Sequence, residues 1–236
     1  MAQAVQIATH AYVSGKIVTR ATAARSAEFF LLPARQGSFL VDLVVLVEQY
    51  PVIAGAAAPV FYDFIKAVFK KATGVFSGEP ETAAIRKAID KDEPFFDELA
   101  ETLEGSLQRA HRPIGDGVTT ISLERPRSDL IVFDQDSKDW VNTREENPGS
   151  STITGNVTRF NSITRNGRVF SDQHGRIIPF RPDGDFPGAS LRYVTWSHHG
   201  STNSLPKKLN LVVREIKSAK GETKRLLLSD CERAEN

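Results

Sequence analysis

Two carboxylates and a lysine offer the most specific chemistry in the chain. Pro182-Asp183 is followed at a distance by Glu215-Ile216-Lys217. Metal-dependent cleavage of a phosphodiester needs two carboxylates to hold Mg²⁺ and a lysine to orient or activate water. Glu215 and Lys217 are two apart, so on a strand they share a face. The same residues have a plainer reading. Pro182-Asp183-Gly184 is a common turn sequence, and alternating Glu and Lys suits the wet face of a strand. The helix such nucleases place beside these strands is not visible in the sequence. Asp183, Glu215 and Lys217 are therefore catalytic candidates only under an alternative reading, a metal-dependent nuclease or other hydrolase.

The remaining reactive residue types form no set that converges. Trp196-Ser197-His198-His199-Gly200 reads as strand and turn, where neighbouring histidines point to opposite faces and cannot easily share a metal. No three-histidine or paired-cysteine set accompanies them, and the single cysteine, Cys231, permits neither a disulfide nor a thiolate cluster. Asp129, Asp134, Asp136 and Asp139 crowd a strand end, but the glycine and distant glutamate of a calcium loop are missing. Gly-rich phosphate loops are absent as well. No cofactor and no metal are expected.

Charge gives a broader signal. Residues 1–78 hold seven Lys and Arg against four Asp and Glu, and residues 79–150 hold nine against 17. Residues 151–236 hold 14 against eight, a surplus of six. Within that basic end Phe160, Phe170, Phe180, Tyr193 and Trp196 interleave with the cations. Small barrels that bind single strands use cations for phosphates and aromatic rings for bases. The basic hairpin around Lys220-Gly221 gathers Arg214, Lys217, Lys220, Lys224 and Arg225, with Lys220, Lys224 and Arg225 expected to project together at its tip. These five are the candidate contact residues for nucleic acid or for a protein partner.

The elements that must position them fall into two groups. Residues 2–13 have helical spacing, and Ser14-Gly15 ends them. Lys16–Arg20 and Ala27–Leu32 read as short strands, and 39–47 as a central strand apolar on both faces. A helix follows over 53–72, a second opens at Glu79-Pro80-Glu81, and a third is capped by Asp92. Strands are expected over Val118–Leu123 and Leu130–Phe133, with a turn at Arg125-Pro126-Arg127. Thr143–Ser151 is polar and reads as a linker. Beyond it lie only strands and turns: 153–160, 168–170, 176–180, 192–197, 209–217 and 224–228. The fold class is thus α+β: residues 1–142 form a mixed sheet with helices, and residues 152–231 form a small, basic, all-β barrel. The apolar run from Phe39 to Phe69 is broken by Asp42, Glu48, Asp63 and Lys66, and its longest uncharged stretch is 14 residues. A spanning helix needs about 20, so a membrane partner is not expected.

The segments IATHAYVSGKI, FFLLPARQGSF, TGNVTRFNSITRNGRVF and GRIIPF resemble a family of uncharacterised bacterial proteins, a domain of unknown function. The likeness covers most of the chain and implies no activity, cofactor or site residue. The resulting expectation is a non-catalytic cytoplasmic binding or accessory protein. Its partner is another protein or a second copy of itself, or else nucleic acid touched through the basic barrel.

Overall fold

The computed structural model describes residues 1–20, 28–31, 38–44, 58–75, 78–125, 128–145, 149–203, 205 and 207–234. They form two compact units: Met1–Lys91 with Phe96–Asn142, and Asp92–Phe95 with Thr143–Asn236.

The first unit is helical around a small sheet. Strands β1 (Glu28–Leu31), β2 (Ser38–Val44), β3 (Thr120–Arg125) and β4 (Ser128–Phe133) lie side by side in that order. β2 is antiparallel to β1 and parallel to β3, so it is internal, as its apolar run requires. Helices α1 (Ala2–Ser14), α2 (Ala58–Ala72), α3 (Ala83–Lys91) and α5 (Gln135–Val141) belong to this unit, as does α4 (Glu93–Ala110) from Phe96 onward. On α2 the residues Phe61, Phe64, Ile65, Val68 and Phe69 are buried, a stripe stepping by three and four. On α4 Leu99, Leu103 and Leu107 repeat every four residues and are fully buried. Asp63, buried among these, accepts hydrogen bonds from Glu81 N (2.9 Å), Thr82 N (2.7 Å) and Thr82 Oγ1 (2.6 Å). It thereby satisfies amides ahead of α3 that have no helical partner of their own.

The second unit is a closed five-stranded barrel. Strands β6 (Ser151–Phe160), β7 (Gly167–Ser171), β8 (Arg176–Pro182), β9 (Leu209–Ser218) and β10 (Thr223–Arg233) run round it as β6-β7-β8-β10-β9. All neighbours are antiparallel except β8 and β10, and β9 returns to β6 through Ser151↔Val213 and Gly155↔Leu209. Past that point the same edge of β9 pairs with β5 (Thr143–Glu145). Helix α6 (Leu191–Thr202) connects β8 to β9. This connectivity, with a helix between the third and fourth strands and the third parallel to the fifth, matches the OB-fold, a Greek-key barrel. Val157, Val169, Ile178, Val213, Leu226 and Leu228 fill the interior with Val194 of α6. Full burial of such side chains contributes about 1.5–3 kcal/mol each relative to exposure.

Several expectations are corrected. Lys16–Arg20 is not a strand. Thr143–Glu145, read as linker, is β5. Residues 192–197, read as strand, belong to α6, a helix inserted in the expected C-terminal barrel. Tyr, Val, Thr and Trp favour strands locally, but Val194, Ser197 and Gly200 are buried at three-residue steps, and that helical period wins. Past the end of β4, Asp134 caps α5, which also carries Asp136 and Asp139, and accepts from Ser137 N at 2.9 Å. The expected turn at 125–127, and the parts of the expected elements at 27, 32, 45–47 and 53–57, lie wholly or partly outside the described residues.

Candidate nucleic-acid interface

The two expected carboxylates engage different partners. Asp183, just after β8, pairs with Arg214 and also accepts from Gly184 N at 2.9 Å. The Arg214 guanidinium, with that amide, holds its carboxyl below the ordinary range. Glu215 instead accepts from Thr223 Oγ1 at 2.7 Å and lies 3.4 Å from His174 Nε2 and 3.6 Å from Lys217 Nζ. Burial raises its pKa, but Thr223, His174 and Lys217 together outweigh burial and lower it. His174 is in turn fixed by Ser171, whose Oγ lies 2.8 Å from Nδ1. Ser171 is fully buried, which leaves its hydroxyl no path to a substrate. Among the described residues no group of three or more His, Cys, Asp or Glu is placed to hold a metal ion. His198 and His199 stand side by side on α6, and burial lowers the pKa of His198.

Lys220, Lys224 and Arg225, expected to project together at the hairpin tip, do not share one exposed surface. Lys220 is exposed at the β9–β10 turn, but Lys224 is only 7% exposed. The reason is a register shift between Thr223 and Arg225, a bulge that removes Lys224 from the alternation assumed for it. Arg214 and Lys217 are engaged by Asp183 and Glu215. On the outer face of β7, Arg168 pairs with Glu93 and is largely desolvated, which lowers its pKa to about 10. A cavity of about 610 Å³ beside it is lined by Glu93, Asn156, Thr158, Arg159, Ile177 and the end of α6.

A second group of cations, which sequence reasoning did not assemble, surrounds α6. Arg233 Cζ lies 4.5 Å and Lys207 Nζ 5.1 Å from the centre of the Trp196 ring. Arg192 Cζ lies 4.7 Å from the centre of the Tyr193 ring, and Arg192 Nη2 donates to the Tyr193 hydroxyl at 2.7 Å. Trp196 and Tyr193 are partly buried against the barrel core, so their inner parts are anchored. The position of Lys207 is fixed from the backbone. Ser197 Oγ accepts from Val157 N (3.0 Å), freed at a bulge in β6, and donates to Lys207 O (2.5 Å). Gly200 makes room for the same segment: a Cβ there would lie 2.4 Å from Leu205 O and 2.6 Å from Lys207 Cγ. Arg233 arrives from the far end of β10, opposite Leu209. Only the closed ladder unites residues 37 apart on one ring, so no local motif could have shown it.

A family model described as a domain of unknown function (DUF7946) matches residues 1–142. The matched part ends before the barrel, so the likeness read in TGNVTRFNSITRNGRVF and GRIIPF lies beyond it. No curated protein and no solved structure matches the chain. Among the described residues no helix is long and apolar enough to cross a membrane.

Proposed function

Starting from a chain that belongs to the DUF7946 family, whose description attaches no activity, we propose that the protein is a non-catalytic binding protein whose C-terminal barrel holds single-stranded nucleic acid. The observation that carries this is the barrel's connectivity, β6-β7-β8-β10-β9 with β8 parallel to β10. Barrels of this kind bind oligonucleotides and oligosaccharides. The surplus of six cations over residues 151–236 favours the charged ligand of the two. The charge supports the reading independently of the connectivity.

Fluorescence anisotropy with the full chain and a labelled oligothymidylate of about 15 nucleotides, a length suited to one such barrel, tests it. Binding is expected to weaken steeply as salt rises and to exceed binding to a duplex of equal length. Absence of binding at low salt refutes the proposal. Binding to an acidic polypeptide in its place would make the partner a protein.

A further inference from the structure

We propose that the strand is held at the α6 rim of the barrel, by Arg192, Lys207 and Arg233 through its phosphates, with Tyr193 and Trp196 as the platform that carries these cations. This rests on the nucleic-acid reading above and says where on the barrel that binding happens. The usual face of such a barrel, over its second and third strands, presents Arg168 already neutralised by Glu93. The hairpin expected from sequence presents Arg214 and Lys217 already engaged by carboxylates. At α6 the situation is reversed. Among the described residues no carboxylate pairs with Arg192, Lys207 or Arg233, whose contacts are with aromatic rings.

Two cations within about 6 Å of one indole each gain from its π-face, but they also repel one another. A phosphate anion relieves that repulsion, and the converging charge raises its local concentration. The rings hold the three cations in place, and contact through phosphates makes the binding tolerant of sequence. The site is also rigid. Trp196 is seated on the core, Lys207 is tied by Ser197 and packed on Gly200, and Arg233 is fixed by the β9–β10 ladder. Little backbone ordering is then left for the ligand to impose.

The test uses the full chain, the same labelled oligothymidylate, and the variant Arg192→Gln/Lys207→Gln/Arg233→Gln. Each phosphate contact on a single strand contributes about 0.7 to the slope of log K against log salt, so losing three lowers the slope by about 2. In a Trp140→Phe background, Trp196 is the one remaining indole, and its emission is expected to change on binding. Wild-type binding with an unchanged slope in the triple variant overturns the site while leaving the nucleic-acid reading intact. Absence of wild-type binding overturns both. If the triple variant fails to fold by circular dichroism, exposed Arg192→Gln alone is measured, with an expected slope loss of about 0.7 and no loss counting against the site.

Discussion

Asp97 places a measurable cost in the first unit. It lies on α4 with its carboxylate 2.7 Å from Lys71 Nζ on α2. Burial raises its pKa from 3.8 to about 6, against the pull of Lys71. Between those two values the folded protein keeps a proton that the unfolded chain has released. Stability from this group is therefore complete below pH ~4 and is lost as pH rises through about 6. A shift of roughly two units corresponds to about 3 kcal/mol, with the attraction of Lys71 already included. Asp97→Asn keeps the shape without the charge. It is expected to stabilise the protein by about 3 kcal/mol at pH ~7.5 and by only about 1 kcal/mol at pH ~4.5. Urea unfolding of both proteins at the two pH values measures this. A variant less stable than wild type at the higher pH, or a gain equal at both, would refute the reasoning and show that the ion pair outweighs burial.

Asp63→Ala removes the acceptor of three hydrogen bonds and leaves the amides of Glu81 and Thr82 without it; a loss of about 3 kcal/mol is expected in urea unfolding, and a loss below about 1 kcal/mol would mean water replaces the carboxylate. Gly167→Ala puts a Cβ 2.6 Å from Phe180 Cζ and 2.7 Å from Arg159 O. The barrel should lose about 1–3 kcal/mol, visible as a lower Tm, and an unchanged Tm would show that the ring can shift freely. Glu215→Gln weakens the contacts with Thr223, His174 and Lys217. Because the carboxyl pKa is lowered in the fold, its stabilisation exists above the ordinary carboxylate range and is lost as pH falls. The variant should cost about 1 kcal/mol near neutral pH and almost nothing in acid, without altering oligonucleotide affinity; a change in affinity would place Glu215 in the interface.

Much of the architecture was legible because its elements are periodic. Residues 2–13 and the Phe95–Leu107 run announce helices by apolar steps, and turns such as Lys220-Gly221 punctuate the strands. The errors have physical causes. Arg192–Ser197 contains strand-favouring side chains, and its three-residue burial step is carried by Ser197 and Gly200, which no hydrophobicity count registers. Thr143–Glu145 is polar, yet β9 offers a free edge to it. The expected hairpin tip failed because strict alternation was assumed across a bulge at Lys224. The Trp196 group was invisible for a different reason: its aromatic ring and its cations come from α6, the segment just before β9 and the end of β10, and only the closed ladder brings them together.

The closure of the barrel also sets how it must fold. β6 finds β9 across 62 residues of chain at Ser151↔Val213, and β8 accepts β10 in parallel only after the intervening helix and hairpin exist. Pairings so distant in sequence make for slow folding, on the order of milliseconds to seconds. Until β10 docks, β8 and β9 each present a row of unpaired amides and carbonyls. A second molecule in the same state offers the missing strand, so crowded refolding should yield exchanged dimers in which β10 of one chain closes the barrel of another.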